Sequence, residues 1–509
     1  MKSAVASLLA ASSLLSSTLA DTVQFQIARK RAVEAEQLWK RDTVAVGLRN
    51  ERFLYTANVS VGTPPQSFIL QIDTGSSDVW VPASNSTQCT GTAEGQGCPD
   101  GAFDASKSST FIDVAEGDFN ISYVDNSGSS GDYFVDTFSI GGKTLQNFTM
   151  GLALETTVNQ GIMGIGYASG EAWVANEGGL PYDNLVYAMV NDSLVSTTAY
   201  SLWLDDLEAA TGSILFGGID TAKYTGTLTN IKIYPDSESG TDEIDSFVVA
   251  FTYLAASSPS GTDVLTPSDY AVPVVLDSGT TLTLLPNDLA QMVYNEVGAT
   301  YDADAQVALV PCALRNVAGN LTYGFSGAVI VVPISELVFQ ELVDPSDNKT
   351  ATFENGQAAC EFGIQPALDR PILFGDTFLR SAYVVYDLAN DRIGIAQTDF
   401  NSTESNVVEF PSLSAHIPSA TTATELAPVT QTATQIVGQG DPTSAPANVV
   451  SATASTGATG TGRAVPGFLA ATNKSAAGPG PDVFRWEGVV LVGATMIMMC
   501  AGSGVFFWL

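Results

Sequence analysis

Residues 68–82 read FILQIDTGSSDVWVP, and residues 274–286 read VVLDSGTTLTLLP. In each, a run of β-forming residues breaks at Asp-Thr/Ser-Gly and resumes as a second apolar strand that ends in proline. Downstream of each comes a matching apolar pair before glycine, Ile162-Met163-Gly164 and Leu373-Phe374-Gly375. A scheme that occurs twice implies two related halves, each contributing one aspartate, Asp73 and Asp277. An Asp followed by a small hydroxyl residue and Gly leaves a carboxylate at the mouth of a tight turn. If the halves meet about a pseudo-twofold axis, the two carboxylates face one another and cannot both ionise, so they hold one proton between them. Such a pair can take a proton from water with its ionised member and give one to a carbonyl with the other.

The rest of the chain agrees with that chemistry. Its 509 residues are 45% hydrophobic and only 15% charged, with 46 Gly and 23 Pro, as in a turn-rich β protein of more than one folding unit. Short runs such as Ser213-Ile214-Leu215-Phe216 and Tyr383-Val384-Val385-Tyr386 read as strands. Twenty Lys and Arg against 54 Asp and Glu give a formal net charge of −34, which argues against a nucleic-acid partner. The one histidine, His416, lies in a Ser/Thr-rich stretch far from any strand run, which excludes a Ser-His-Asp triad, a Cys-His dyad and a His-dependent zinc site. A carboxylate pair needs no cofactor and no metal.

The motifs Asp73-Thr74-Gly75-Ser76-Ser77 and Asp277-Ser278-Gly279-Thr280-Thr281 resemble those of the pepsin-like aspartic proteases. The resemblance extends in order through residues 61–66 (VGTPPQ), 80–82 (WVP), 217–220 (GGID) and 375–380 (GDTFLR), and covers roughly residues 54–400. It implies a mostly β, bilobal fold of two related antiparallel lobes with the active-site cleft between them. It further implies catalysis by Asp73 and Asp277, with Thr74 and Ser278 bonded reciprocally beneath the dyad and Ser76 and Thr280 on the outer carboxylate oxygens. Gly75 and Gly279 would line the substrate. The family's flap tyrosine falls on Tyr123, which would close over a bound peptide with Trp80. Family members usually have Gly after that tyrosine, where this chain has Val124, a β-branched residue that restricts the backbone. Asp125, two positions on, would either pair with a Lys or Arg of the substrate or merely shape the hairpin turn. Pepsin-like folds also occur as catalytically silent binding or cell-wall proteins. The intact pair of motifs favours an endopeptidase acting on polypeptides, expected to be monomeric.

The two ends of the chain point to the secretory route. Residues 1–20 resemble a signal peptide, with a buried N-terminal helix as the rival reading. Residues 21–41 are locally basic and end in Lys40-Arg41, as in a propeptide, or else form an exposed helix over Ala32–Trp39. The lobes are expected at 42–215 and 216–400, followed by a Ser/Thr-rich, glycosylated stalk at 401–475. Residues 476–509 close with an apolar stretch from Gly488 to Leu509. They read as a glycosylphosphatidylinositol (GPI) attachment signal that is removed, with Ser475 as the attachment residue and Asn473 as its alternative; a retained membrane helix is the rival. This arrangement looks like the fungal yapsin-type branch of the family, GPI-anchored at the plasma membrane or cell wall, which tends to cleave next to Lys or Arg. With Cys500 in the discarded tail, four cysteines remain and allow three pairings. Cys89 with Cys98 and Cys312 with Cys360 are expected, each closing a local loop, while a four-thiolate metal site is disfavoured by the spacing. Sequons for N-glycosylation stand at Asn58, Asn85, Asn120, Asn147, Asn191, Asn320, Asn348, Asn401 and Asn473.

Overall fold

The computed structural model describes residues 23–31, 45–46, 53–424, 429 and 490–491, with short breaks at 93–95, 210, 237–241, 304, 345–348 and 354. The signal segment, Ala32–Trp39, Lys40-Arg41, Asn348, Asn473 and Ser475 lie outside the described residues. Residues 488–509 do too, apart from 490–491. Among the described residues no helix is long and apolar enough to cross a membrane.

The strand runs seen in the sequence form a mostly β molecule around a shared sheet of 14 strands. The two Asp-Thr/Ser-Gly segments have the same local topology, which explains the repeat. In the first half the strand Gln66–Asp73 pairs parallel with Ile162–Gly164, which pairs antiparallel with Val79–Pro82. In the second half Val272–Leu276 pairs parallel with Leu373–Phe374, which pairs antiparallel with Thr283–Leu285. Each half thus wedges the strand before a glycine between the two arms of the aspartate loop. The glycine is required: a Cβ on Gly164 would lie 2.7 Å from the backbone N and O of Asp78, and one on Gly375 would run into the carbonyls of Thr280 and Leu282.

Alternation along the sheet separates its two faces. Tyr200, Leu202, Val384 and Tyr386 enter the large core that both lobes share, whereas Ala199, Trp203, Tyr383 and Val385 face the other way into a smaller cluster. The hydroxyl of Tyr200 donates to the carbonyl of Ile165 (2.9 Å), and the Ile165 N–H donates to the carbonyl of Asp73 (2.9 Å). The aspartate loops therefore sit on the Tyr200 face.

The opposite face is covered by residues that the sequence assigns to the stalk. Residues 401–424 are not an extended stalk. Val407–Glu409 adds antiparallel to Gly218–Asp220, and Thr421–Thr422 adds parallel to Tyr224–Lys232. Phe410 and Ile417 are buried in the Trp203 and Tyr383 cluster. Polar clasps fix the start of this strap: Asp205 accepts from the Asn401 N–H (2.6 Å), Lys223 donates to the Ser402 carbonyl (2.6 Å), and Asp220 accepts from Asn406 N–H and the Ser405 hydroxyl (both 2.7 Å). Its composition hides it because strand addition uses backbone groups, so only two large apolar side chains are needed to seat it. His416 lies exposed on this strap, on the face away from the aspartate loops.

Residues 23–31 of the basic N-terminal segment form a strand within the same sheet, between Thr211–Phe216 and Phe53–Val61. Both expected disulfides are formed, Cys89–Cys98 and Cys312–Cys360. Among the described sequons, Asn58, Asn85, Asn120, Asn147, Asn191 and Asn401 are exposed and Asn320 is half-buried.

Candidate active site

The two aspartate loops meet through a reciprocal set of hydrogen bonds. The hydroxyl of Thr74 donates to the carbonyl of Leu276 (2.9 Å) and accepts from the Ser278 N–H (2.9 Å). In mirror fashion the hydroxyl of Ser278 donates to the carbonyl of Ile72 (3.1 Å) and accepts from the Thr74 N–H (3.2 Å). Each hydroxyl thus satisfies one donor and one acceptor of the opposite half, which locks the loops in register in a site where unpaired backbone groups would be costly. Gln71 adds a further tie, its amide donating to the carbonyl of Gly279 (2.9 Å).

On this platform both carboxyls are held alike. The inner oxygen of Asp73 accepts from Gly75 N–H and that of Asp277 from Gly279 N–H, each at 2.8 Å. The outer oxygens accept from the hydroxyls of Ser76 and Thr280, the latter at 2.5 Å. Gly279 is the residue that lets the carboxyls approach, since a Cβ there would collide with the carboxylate of Asp73. Asp73 and Asp277 are fully buried, and both carboxyls approach the position that a Cβ on Gly279 would take. Burial first, and then the charge of Asp73, push the Asp277 carboxyl well above the usual carboxylate range, while the bonds from Thr280 and Gly279 pull the other way. One proton held between two carboxyls is the arrangement that can both deprotonate a water and protonate a carbonyl oxygen.

Ile112–Ser122 and Gly128–Ile140 form an antiparallel hairpin, paired up to Ser122 opposite Gly128. Tyr123 opens its turn and is buried, its hydroxyl accepting from the indole N–H of Trp80 at 2.7 Å. Tyr123 accepts at its carbonyl from Asn126 N–H and donates from its own N–H to the Ser127 carbonyl, both at 2.9 Å. Asn126 takes the left-handed conformation (φ 65°) that the turn needs, so Val124 is accommodated with an ordinary backbone and packs its side chain against the main core. Asp125 caps the turn, one carboxylate oxygen accepting from Ser127 N–H at 2.8 Å. Of its two sequence readings, this geometry supplies the turn-shaping one.

Sequence reasoning gave no role to four residues that adjoin this site: Asp78, Tyr133, Glu171 and Tyr182. Asp78 and Glu171 are buried carboxyls, and Asp78 accepts from both tyrosine hydroxyls. The donors to Asp78 are 55 to 104 positions away in the chain, so no local motif could announce them.

Comparison with known proteins places these observations in a family. The family model described as eukaryotic aspartyl protease matches residues 54–398. A probable aspartic-type endopeptidase opsB of Aspergillus oryzae is 45% identical over 386 residues, covering 75% of this chain and 76% of that protein. Its namesake in Aspergillus fumigatus is 42% identical over 426 residues, with 83% and 85% covered. Secreted aspartic protease 8 of Candida albicans is 34% identical over 371 residues, with 72% and 81% covered. The paired aspartate loops, their reciprocal hydroxyl bonds and these similarities show that the chain belongs to the eukaryotic aspartyl protease family and is an aspartic-type endopeptidase.

Proposed function

We propose that this endopeptidase uses Asp73 and Asp277 as a single acid–base unit on a peptide carbonyl. The ionised member of the pair takes a proton from a water, whose oxygen bonds to the carbonyl carbon. The proton on the other member passes to the carbonyl oxygen, giving a neutral tetrahedral diol. The protonated member then gives its proton to the amide nitrogen while the ionised member takes one from a diol hydroxyl, so that the C–N bond breaks, the amine and carboxylic acid products are freed, and one proton remains on the pair. The observation that carries this reading is two fully buried carboxyls brought together over Gly279, each held by a backbone N–H and a hydroxyl. Tyr123 and Trp80 would close over the peptide, with Gly75 and Gly279 offering it backbone groups.

The finer assignments rest on sequence. Residues 1–20 as a signal, the two disulfides and the name of the Candida albicans relative support secretion. Residues 21–41 would act as a propeptide released after Lys40-Arg41. The stalk would then begin beyond the strap, near residue 425, and carry a GPI anchor at Ser475 at the plasma membrane or cell wall. A preference for Lys or Arg at the cleavage site would come from Asp125 and from the steering of basic peptides by the acidic surface. Profiling cleavage of a diverse peptide library by the secreted ectodomain at acid pH, with and without pepstatin, tests the reading. Cleavage insensitive to pepstatin would contradict it.

A further inference from the structure

A second buried carboxylate lies five residues from the catalytic one. Asp78 is fully buried, and among the described residues its hydrogen-bond donors are two tyrosine hydroxyls and a backbone N–H, all uncharged. One oxygen accepts from the hydroxyls of Tyr133 (2.9 Å) and Tyr182 (2.8 Å), and the other from Ala172 N–H (2.8 Å). A buried carboxylate without a cation is costly and is sustained only by converging donors. These three come from different parts of the lobe. Tyr133 lies on the Gly128–Ile140 strand of the flap hairpin, Ala172 opens the short helix Ala172–Glu177, and Tyr182 lies in the loop that follows it.

At its backbone, Asp78 is tied to the dyad. Its carbonyl accepts from Gly164 N–H (3.0 Å), and Gly164 sits directly opposite Asp73 in the sheet. Two residues on, Trp80 donates to the Tyr123 hydroxyl. The flap hairpin is therefore held to the segment after Asp73 at two points, its turn by Trp80 and its shaft by Asp78. Between these points the rings of Trp80, Phe119, Tyr133 and Tyr182 form a continuous chain, with successive centroids 6.3, 5.4 and 5.8 Å apart. Backbone pairing with Lys143–Thr156 holds the shaft from Ser129 to Ile140 as well, so what the two side-chain bonds set is the finer tilt of the turn relative to the segment after Asp73.

We propose that Asp78 is a positioning residue for the reaction: through Tyr133 it fixes the tilt of the flap, and so places the Tyr123 hydroxyl over the scissile peptide. This rests on the reading of Tyr123 as the residue that closes over substrate. Replacing Tyr133 by Phe removes the bond while keeping the ring packing. It should lower kcat/KM about tenfold, the scale of one buried hydrogen bond. The loss should not multiply with that of Tyr123→Phe, because both act through the same hydroxyl. Asp78→Asn can keep both tyrosine bonds on its carbonyl oxygen, at the cost of turning its NH2 toward Ala172 N–H, so it should lose melting temperature yet retain clearly more activity than Asp78→Ala.

The test is kcat/KM for one peptide with Tyr133→Phe, Tyr123→Phe, the double variant, and Asp78→Asn, each with its melting temperature. A double variant no slower than Tyr123→Phe supports the coupling, as does rescue by Asn. Should Tyr123→Phe lower kcat/KM but the two losses multiply, or should Tyr133→Phe lower only the melting temperature, Asp78 is structural and the proposal is overturned. An unchanged kcat/KM in Tyr123→Phe would instead remove the flap reading, and this proposal with it.

Discussion

Thr74 and Ser278, 204 residues apart in the chain, exchange side-chain and backbone hydrogen bonds so that each hydroxyl completes the loop of the other. Because the pair spans both halves, it holds the carboxyls in register as well as stabilising the fold. Ser278→Ala leaves the Thr74 N–H and the Ile72 carbonyl without their partner. We expect a loss of about 1–3 kcal/mol in unfolding free energy and a fall in kcat larger than any change in KM. Urea unfolding combined with steady-state kinetics checks both; an unchanged kcat would detach the platform from catalysis.

Glu171 gives the protein an acid-favouring stability. Burial raises its carboxyl to about 9 from the ordinary 4.5, and the neighbouring Asp78 charge adds to this against the bond from Tyr182 N–H. In the unfolded chain Glu171 ionises above about 4.5, while in the folded protein it keeps its proton to about 9. Its contribution is thus complete below the unfolded value and is lost progressively as pH rises toward the folded one. Asp245 and Asp387, raised by burial to about 6, act in the same direction over a narrower range. The melting temperature should fall between pH 4 and pH 8, and Glu171→Gln should flatten the slope. A melting temperature that rises over that range would refute this.

Asp125 decides whether the flap selects basic residues. One oxygen caps the turn through Ser127 N–H, and the carboxylate keeps further lone pairs that could meet a substrate cation. Asp125→Ser keeps a turn-capping oxygen and removes the charge. If that charge selects Lys, the ratio of kcat/KM for matched Lys and Leu peptides should drop by roughly five- to a hundredfold, as for losing one charge-assisted bond. A constant ratio would assign Asp125 to the turn alone.

Phe410 measures the strap. It is 0% exposed, so Phe410→Ala should cost about 3–5 kcal/mol of unfolding free energy. A substitution in an extended stalk would change stability by no more than about 0.5 kcal/mol, and a result that small would contradict the packing of residues 401–424.

What could be read in the sequence was whatever a local motif carries. The Asp-Thr/Ser-Gly turns, the glycines that must admit a neighbouring strand and the short β runs each leave a mark within a few residues. From their repetition the two-lobed layout and the pairing of Asp73 with Asp277 follow, and the hairpin around Tyr123 could be placed by its polar turn residues. The seat of Asp78 leaves no such mark, because its donors arrive from distant segments and two of them are tyrosines that look like ordinary strand and loop residues. The strap was hidden for a different reason. Its Ser/Thr-rich composition is that of a stalk, and backbone pairing with two anchors, Phe410 and Ile417, is enough to fold it onto the sheet.

Peptide cleavage by Asp277→Asn protein, compared with native protein over a pH series, decides whether Asp73 and Asp277 act as one unit, with circular dichroism and thermal unfolding to establish that the variant is folded. Asn is nearly isosteric and keeps the bonds from Gly279 N–H and the platform, but it cannot share a proton with Asp73. If the two carboxyls act as one unit, cleavage is abolished at every pH while the fold is retained. Substantial cleavage by the folded variant at any pH would contradict the dyad mechanism.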